Sequence, residues 1–212
     1  MGLFDLHCHL LPGIDDSKVP EDGLESVLEV YCECGFSGLA FTPHVFNPYV
    51  TTKVAAIRGV WQKAEALCKG LGLKAYLGSE LYVGAQAELK GIPIAGKYLL
   101  VEFSTSLPPP GVTERLLRVK SEGLVPLIAH VERYAWLSPD GPVCGAWKKM
   151  GALLQVNVGG VQDGTALPYL EAGIVDVMAT DNHGTDVTIP ASLMSIVQKW
   201  PDVLARMEAL GL

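Results

Sequence analysis

Seven short, almost uninterrupted apolar runs punctuate the chain, at residues 3–7, 36–42, 74–78, 98–103, 124–130, 152–158 and 174–180. A strand with one wet face alternates apolar and polar residues, whereas a run that is apolar throughout suits a parallel sheet covered on both faces. Helical patterns fill the intervals. Pro20 opens the first, Leu24, Val27, Leu28 and Tyr31 follow at helical spacing, and Gly35 ends it. Others cover 54–71, 113–122, 143–150, 164–172 and 190–210. Strand and helix alternating from end to end mean an α/β fold in one domain over 1–212, either a closed barrel or an open doubly wound sheet. No glycine-rich dinucleotide fingerprint follows the first run, so the expectation is a seven-stranded barrel. The stretch Leu107-Pro108-Pro109-Pro110-Gly111 reads as a rigid loop, not a domain boundary.

In α/β barrels reactive groups gather at the C-terminal ends of the strands. All five histidines of the chain fall at such ends. His7 and His9 close the first run; in extended backbone residues i and i+2 share a side, so both imidazoles can reach one ion while Cys8 faces away. His44 follows the second run and Glu80 the third, Glu102 ends the fourth and His130 the fifth, and Asp181 and His183 follow the seventh as another i, i+2 pair. Taken singly, His44 reads as an ordinary surface or core residue and Glu102 as half of an ion pair. Together they do not, because acids crowded beside histidines at one barrel mouth are costly to bury without cations. Imidazole and carboxylate without a thiolate suit Mn²⁺, Fe²⁺ or Zn²⁺; Ca²⁺ and Mg²⁺ seldom take so many nitrogens.

The bulk properties remove several alternatives. A net charge of −7 and a pI near 5.2 oppose an extended nucleic-acid footprint, which needs a basic face. No apolar run approaches the roughly 20 residues of a membrane span, and the first residues lack the basic segment of a secretion signal. Leu6 stands where a myristoylation signal wants Ser or Thr. The expected location is cytoplasmic. The five cysteines are odd in number, scattered and without a Cys-x-x-Cys pair, so neither a disulfide framework nor a zinc ribbon is indicated. Cys32 and Cys34 read as small apolar filling on a helix.

The segments HCHLLPGIDDS, TPH, GSEL, LLVEF, IAHVERY, LQVNVGG and ATDNH occur in this order. Together they resemble the PHP (polymerase and histidinol phosphatase) superfamily. Within it they are similar to the bacterial metal-dependent protein-tyrosine phosphatases of capsule and exopolysaccharide operons, the CpsB/CapC type. The resemblance covers essentially the whole chain. His-x-His alone is shared with many amidohydrolases; the His-x-x-Arg-Tyr motif after the fifth run and Leu-Pro-Gly-Ile-Asp-Asp after the first are more specific.

That resemblance implies a distorted (β/α)7 barrel and three divalent ions, Mn²⁺ first among the candidates. The first ion would be held by His7, His9, Glu80 and Asp181, with Glu80 bridging to a second that adds Glu102 and His130. The third would take Asp16, His44 and His183; Asp15 is the nearer acid by sequence, but the family pattern favours Asp16. Phosphate monoesters need accelerations up to ~10²¹-fold, and clustered cations activate water, neutralise charge and clamp an in-line displacement. The implied substrate is protein phosphotyrosine, for example the tail of a bacterial tyrosine autokinase, whose phenolate leaves with a solution pKa of about 10. Arg133 is the expected phosphate clamp, its guanidinium matching a phosphoryl group bidentately, with a surface salt bridge as the plainer reading. Tyr134 either lines the substrate site or packs.

The chain departs from the family pattern at one place. A second arginine is expected shortly after Asp181-Asn182-His183, and residues 184–190 contain no basic residue. One charge-assisted contact is worth roughly 1.5–3 kcal/mol, about ten- to a hundredfold in binding or rate. Arg58 or Lys18 could compensate. The loss favours, as the alternative, a small phosphate monoester such as histidinol phosphate or a nucleotide. A nuclease is opposed by the acidic balance, and a catalytically silent metal-binding regulator by the retention of all nine donors.

Overall fold

The apolar runs become parallel strands in a computed structural model that describes residues 2–84 and 89–212. In chain order they are β1 (Leu3–Cys8), β2 (Phe36–Phe41), β3 (His44–Val45), β4 (Lys74–Leu77), β5 (Glu80–Tyr82), β6 (Tyr98–Glu102), β7 (Val125–Ile128), β8 (Leu153–Asn157) and β9 (Val177–Ala179). One sheet has the order β1-β2-β4 and the other β3-β5-β6-β7-β8-β9. The count therefore differs from the seven strands expected. After the second and third runs the chain breaks for two residues and resumes as β3 and β5. Pro43 has no N–H to donate and contributes only its carbonyl, which accepts from Glu80 N–H at 3.1 Å. Ser79 is drawn aside, its N–H donating to the Ile92 carbonyl and its hydroxyl accepting from Ile92 N–H. Each break gives the strand a step, and beyond it His44 and Glu80 stand as direct register partners.

The two sheets meet along a seam between β1 and the end of β9. Cys8 and Asn182 form a parallel bridge, His7 accepts from Asp181 N–H at 2.9 Å and Asn182 from His9 N–H at 2.8 Å. Buried Asp5 fastens this seam. Its carboxylate accepts from the Tyr31 hydroxyl (2.9 Å) and from both the N–H and the hydroxyl of Thr180. Between β2 and β4 the backbones approach so closely that a Cβ on Gly38 would lie 2.1 Å from the Lys74 carbonyl oxygen, so only glycine fits.

Eight α-helices accompany the strands among the described residues: α1 (Leu24–Glu33), α2 (Ile57–Gly70), α3 (Val112–Ser121), α4 (Pro142–Met150), α5 (Val158–Asp163), α6 (Leu167–Glu171), α7 (Ile189–Val197) and α8 (Pro201–Glu208). The long C-terminal pattern is thus two helices, divided where Pro201 withholds its N–H. Helix α5 has no counterpart in the sequence reading because Gly159 and Gly160, the poorest helix formers after proline, occupy its first turn. No helix of the described residues is long and apolar enough to cross a membrane.

Candidate metal centre

The expected donors come together. Ligand atoms of His7, His9 and Asp181 lie within 4.8 Å of one another, as do those of His44, Glu80 and Glu102, and those of His9, Asp16, His44 and His183. The groups share His9 and His44, so they form one array. Glu80 joins the first two, its Oε2 lying 3.4 Å from His7 Nε2, 3.3 Å from His9 Nε2 and 2.9 Å from His44 Nδ1. The ninth residue, His130, reaches Glu80 Oε1 with Nε2 at 2.9 Å. Asp16 meets His183 at 3.3 Å and His44 at 3.9 Å. Cys8 faces the other way, its thiol donating to the Ala40 carbonyl.

Local backbone aims two of these side chains. His130 (φ 32°) and Asp181 (φ 51°) both sit in the left-handed region. For residues with a Cβ that conformation is uncommon and costs about 1–3 kcal/mol, and it persists where surrounding structure enforces it. The enforcing groups project from β8. Gln155 Oε1 accepts from His130 N–H at 2.9 Å and lies 3.1 Å from His7 Nδ1, while its amide donates to Asn157 Oδ1. The Asn157 amide then donates to Asp181 Oδ2 at 2.8 Å. Sequence reasoning missed both residues, although a polar i, i+2 pair inside the apolar run Leu153-Leu154-Gln155-Val156-Asn157 is the same signal that exposed His7 and His9.

Two further supports were not foreseen. Asp15 Oδ2 lies 2.8 Å from His9 Nδ1 and accepts from the backbone N–H of His44 at 3.0 Å, so of the adjacent aspartates Asp15 orients the His9 imidazole and holds the His44 backbone while Asp16 faces the array. The Asn47 amide donates to Glu102 Oε1 at 2.7 Å. Second-sphere partners of this kind fix ligand orientation and basicity.

The electrostatics follow from crowding. Burial opposes charge on His7, His9 and His44, yet the neighbouring carboxylates win: Glu80 and Asp181 raise His7, Asp15 and Glu80 raise His9, and Glu102 with Glu80 pushes His44 up to about 10. Against the same burial, the imidazoles hold Glu80 and Asp181 below the usual carboxylate range. His183 goes the other way, lowered by burial and by the charge on His9. Among the described residues, the buried atoms Asp16 Oδ1, Glu80 Oε2 and His130 Nδ1 have no well-formed hydrogen bond, although imidazole nitrogens lie close to Glu80. His7 Nε2 and His9 Nε2 face each other at 3.1 Å. Orphaned acceptors and ring nitrogens converging on shared points, with no thiolate among them, fit divalent cations of the Mn²⁺, Fe²⁺ or Zn²⁺ kind.

Arg133 stands beside the array on the turn after β7. Its guanidinium pairs with Asp181 Oδ2 at 2.9 Å while half of the side chain is exposed, facing a cleft of about 290 Å³ lined also by Asn157, Gly160 and Thr180. Tyr134 is buried; its oxygen accepts from Phe103 N–H at 3.2 Å and its ring stacks on Trp136, so it packs. Lys18 is exposed beside His183, whose carbonyl accepts its backbone N–H, and Arg58 is exposed on α2. In the stretch that lacks a second arginine, the Asp186 carboxylate accepts from both the N–H and the hydroxyl of Thr188.

Known proteins resemble this chain to differing extents. The family described as capsular polysaccharide synthesis, CpsB/CapC, matches residues 3–199. The tyrosine-protein phosphatase YwqE of Bacillus subtilis (strain 168) is 24% identical over an alignment 199 positions long that covers 85% of this chain and 77% of that protein. The tyrosine-protein phosphatase CpsB of Streptococcus agalactiae is 27% identical over an alignment 209 positions long that covers 89% of this chain and 86% of that protein. A solved chain from the crystal structures of YwqE from Bacillus subtilis and CpsB from Streptococcus pneumoniae, described as metal-dependent tyrosine phosphatases, superposes with a TM-score of 0.78. It is 20% identical and the match covers 93% of this chain and 87% of the other, a likeness of fold. Because the family match runs from residue 3 to residue 199, it takes in every donor from His7 to His183 as well as Arg133, and this chain belongs to the CpsB/CapC family.

Proposed function

We propose that this chain is a metal-dependent phosphomonoester hydrolase acting on protein phosphotyrosine in capsule or exopolysaccharide synthesis. The observation that carries the reading is the single connected array of nine donor side chains. His7, His9, Glu80 and Asp181 would hold one ion, Glu80, Glu102 and His130 a second, and Asp16, His44 and His183 a third, with Mn²⁺ the first choice. When bound, such ions supply Lewis acidity, activation of water and charge neutralisation. The residues of the chain do the rest. Arg133 keeps one nitrogen on Asp181 and offers its remaining N–H groups to phosphoryl oxygens from the exposed half of its side chain. Gln155, Asn157, Asp15 and Asn47 hold the donors in place. A phenolate leaving group needs less help from a general acid than an alkoxide does.

Convergence at one mouth also supports reading the nine strands as seven staves of a distorted barrel. On that reading β2 with β3 and β4 with β5 are each one stepped stave, and the Cys8–Asn182 bridge closes the ring. The proposed setting is cytoplasmic, in one domain, with the phosphorylated tail of a bacterial tyrosine autokinase as partner. One feature favours a second substrate class: with no base in residues 184–190, a small phosphate monoester is served as well as a peptide.

A panel of phosphotyrosine peptide, phosphoserine peptide, histidinol phosphate and nucleotide, assayed with Mn²⁺ and again with chelator, tests both. The reading expects the highest kcat/KM on the phosphotyrosine peptide and loss of activity with chelator. Turnover indifferent to chelation would end it, and preference for histidinol phosphate would move the substrate to the second class.

A further inference from the structure

The rim beside Glu102 and His44 carries features that the hydrolytic reading does not use. Phe46, two residues beyond His44, has φ 58° and its side chain is 61% exposed. A bulky aromatic in the left-handed region is strained, and such strain is retained where it positions something. Burial does not account for it here, because the ring is turned to solvent. Tyr49, in the same loop, is 83% exposed and stands edge-on to Tyr82 with ring centroids 6.5 Å apart. Tyr82 is the register partner of Glu102. The loop is pinned to the array by Asn47, whose amide donates to Glu102 and whose side-chain oxygen accepts from Tyr49 N–H at 2.8 Å. The loop that carries two exposed aromatic rings is thus tethered, through one partly buried hydrogen bond, to a donor of the candidate centre.

Resting on the reading of the centre as a phosphoester site, we infer that Phe46 and Tyr49 form an aryl platform. It receives the ring of the phosphorylated side chain while the phosphoryl group occupies the donor array. Aromatic rings pair edge to face or offset at centroid separations of 4.5–7 Å, and the Tyr49–Tyr82 pair already holds one such geometry. An alkyl phosphate has no ring to offer and gains nothing from the platform. The platform therefore supplies selectivity for aryl esters, and Asn47 is its positioning residue.

Calorimetric binding of phenylphosphonate and methylphosphonate to the Mn²⁺-loaded full chain tests this without turnover. The expected result is that the wild-type chain binds phenylphosphonate about three- to tenfold more tightly than methylphosphonate. Phe46→Ala/Tyr49→Ala should lose that preference with metal content unchanged, and Phe46→Tyr should retain it. Equal affinity for the two phosphonates in the wild-type chain, or a preference that survives the double substitution, overturns the platform and leaves the phosphoester reading standing. Failure of both phosphonates to bind overturns the two together.

Discussion

The two ends of the donor array are built differently. Around His7 and Asp181 the side chains are almost fully enclosed, and each is held from behind by Gln155, Asn157 or Arg133. Around Asp16 and His183 the side chains are 36% and 26% exposed, and Asp16 comes from the loop between β1 and α1 instead of from a strand. The closed end places charges where water cannot screen them, so they must be neutralised there, by protonated imidazoles and Arg133 or by bound cations; the open end can fall back on solvent. A site divided in this way should bind its ions unequally, tightly within and loosely at the rim.

The largest expected effect comes from breaking the closed end. His7→Ala or Asp181→Ala should lose ions and lower kcat/KM by more than about a hundredfold, beyond the usual cost of removing a supporting residue. Asp16→Ala should cost one ion only, and the two losses can be compared by elemental analysis beside steady-state rates. Equal losses at both ends would erase the distinction. Next in size is Arg133→Ala, expected to lower kcat/KM about ten- to a hundredfold. Because the guanidinium also holds Asp181, metal affinity should fall with it, a split that Mn²⁺ titration at fixed substrate resolves. Asn157→Ala, which removes the other partner of Asp181 Oδ2, should weaken metal affinity about tenfold or more without the same rise in KM.

The smallest effect is in pH. His44 is raised to about 10 in the ion-free chain, above the ordinary value near 6.5. The stability it contributes is complete below about pH 6.5 and is lost as pH rises through about 10. Ions compete with those same protons, so affinity for Mn²⁺ grows over that window. Melting temperatures of the ion-free chain should therefore fall between pH 7 and pH 9 while the gain from added Mn²⁺ widens. Parallel curves would show that the imidazoles do not carry the protons.

Much of the site was legible because polar residues stand out in apolar runs. His7, Glu80, Glu102 and His130 each terminate or follow a stretch that has no use for them unless something polar lies beyond its end. The same contrast marked Gln155 and Asn157, but a neutral amide draws less attention than an acid, and its role appears only once β8 lies beside β7 and β9. The Arg133–Asp181 pair is a long-range contact that no local pattern encodes. Elsewhere the difficulty was conformational. The steps at Pro43 and Ser79 depend on hydrogen bonds to residues distant in sequence, Glu80 N–H for Pro43 and Ile92 for Ser79, and α5 forms against the preference of its two glycines because its residues Val158 and Gly160 are buried in place. Asp15 and Asp16 are adjacent in sequence, and only the direction of the turn assigns one to the His9 imidazole and the other to the array.

Diffraction from crystals loaded with Mn²⁺, recorded at the manganese absorption edge, bears most directly on the central claim. The account predicts anomalous density confined to the space enclosed by His7, His9, Asp16, His44, Glu80, Glu102, His130, Asp181 and His183. Peaks bound elsewhere on the chain, or crystals of an active protein with none, would contradict it.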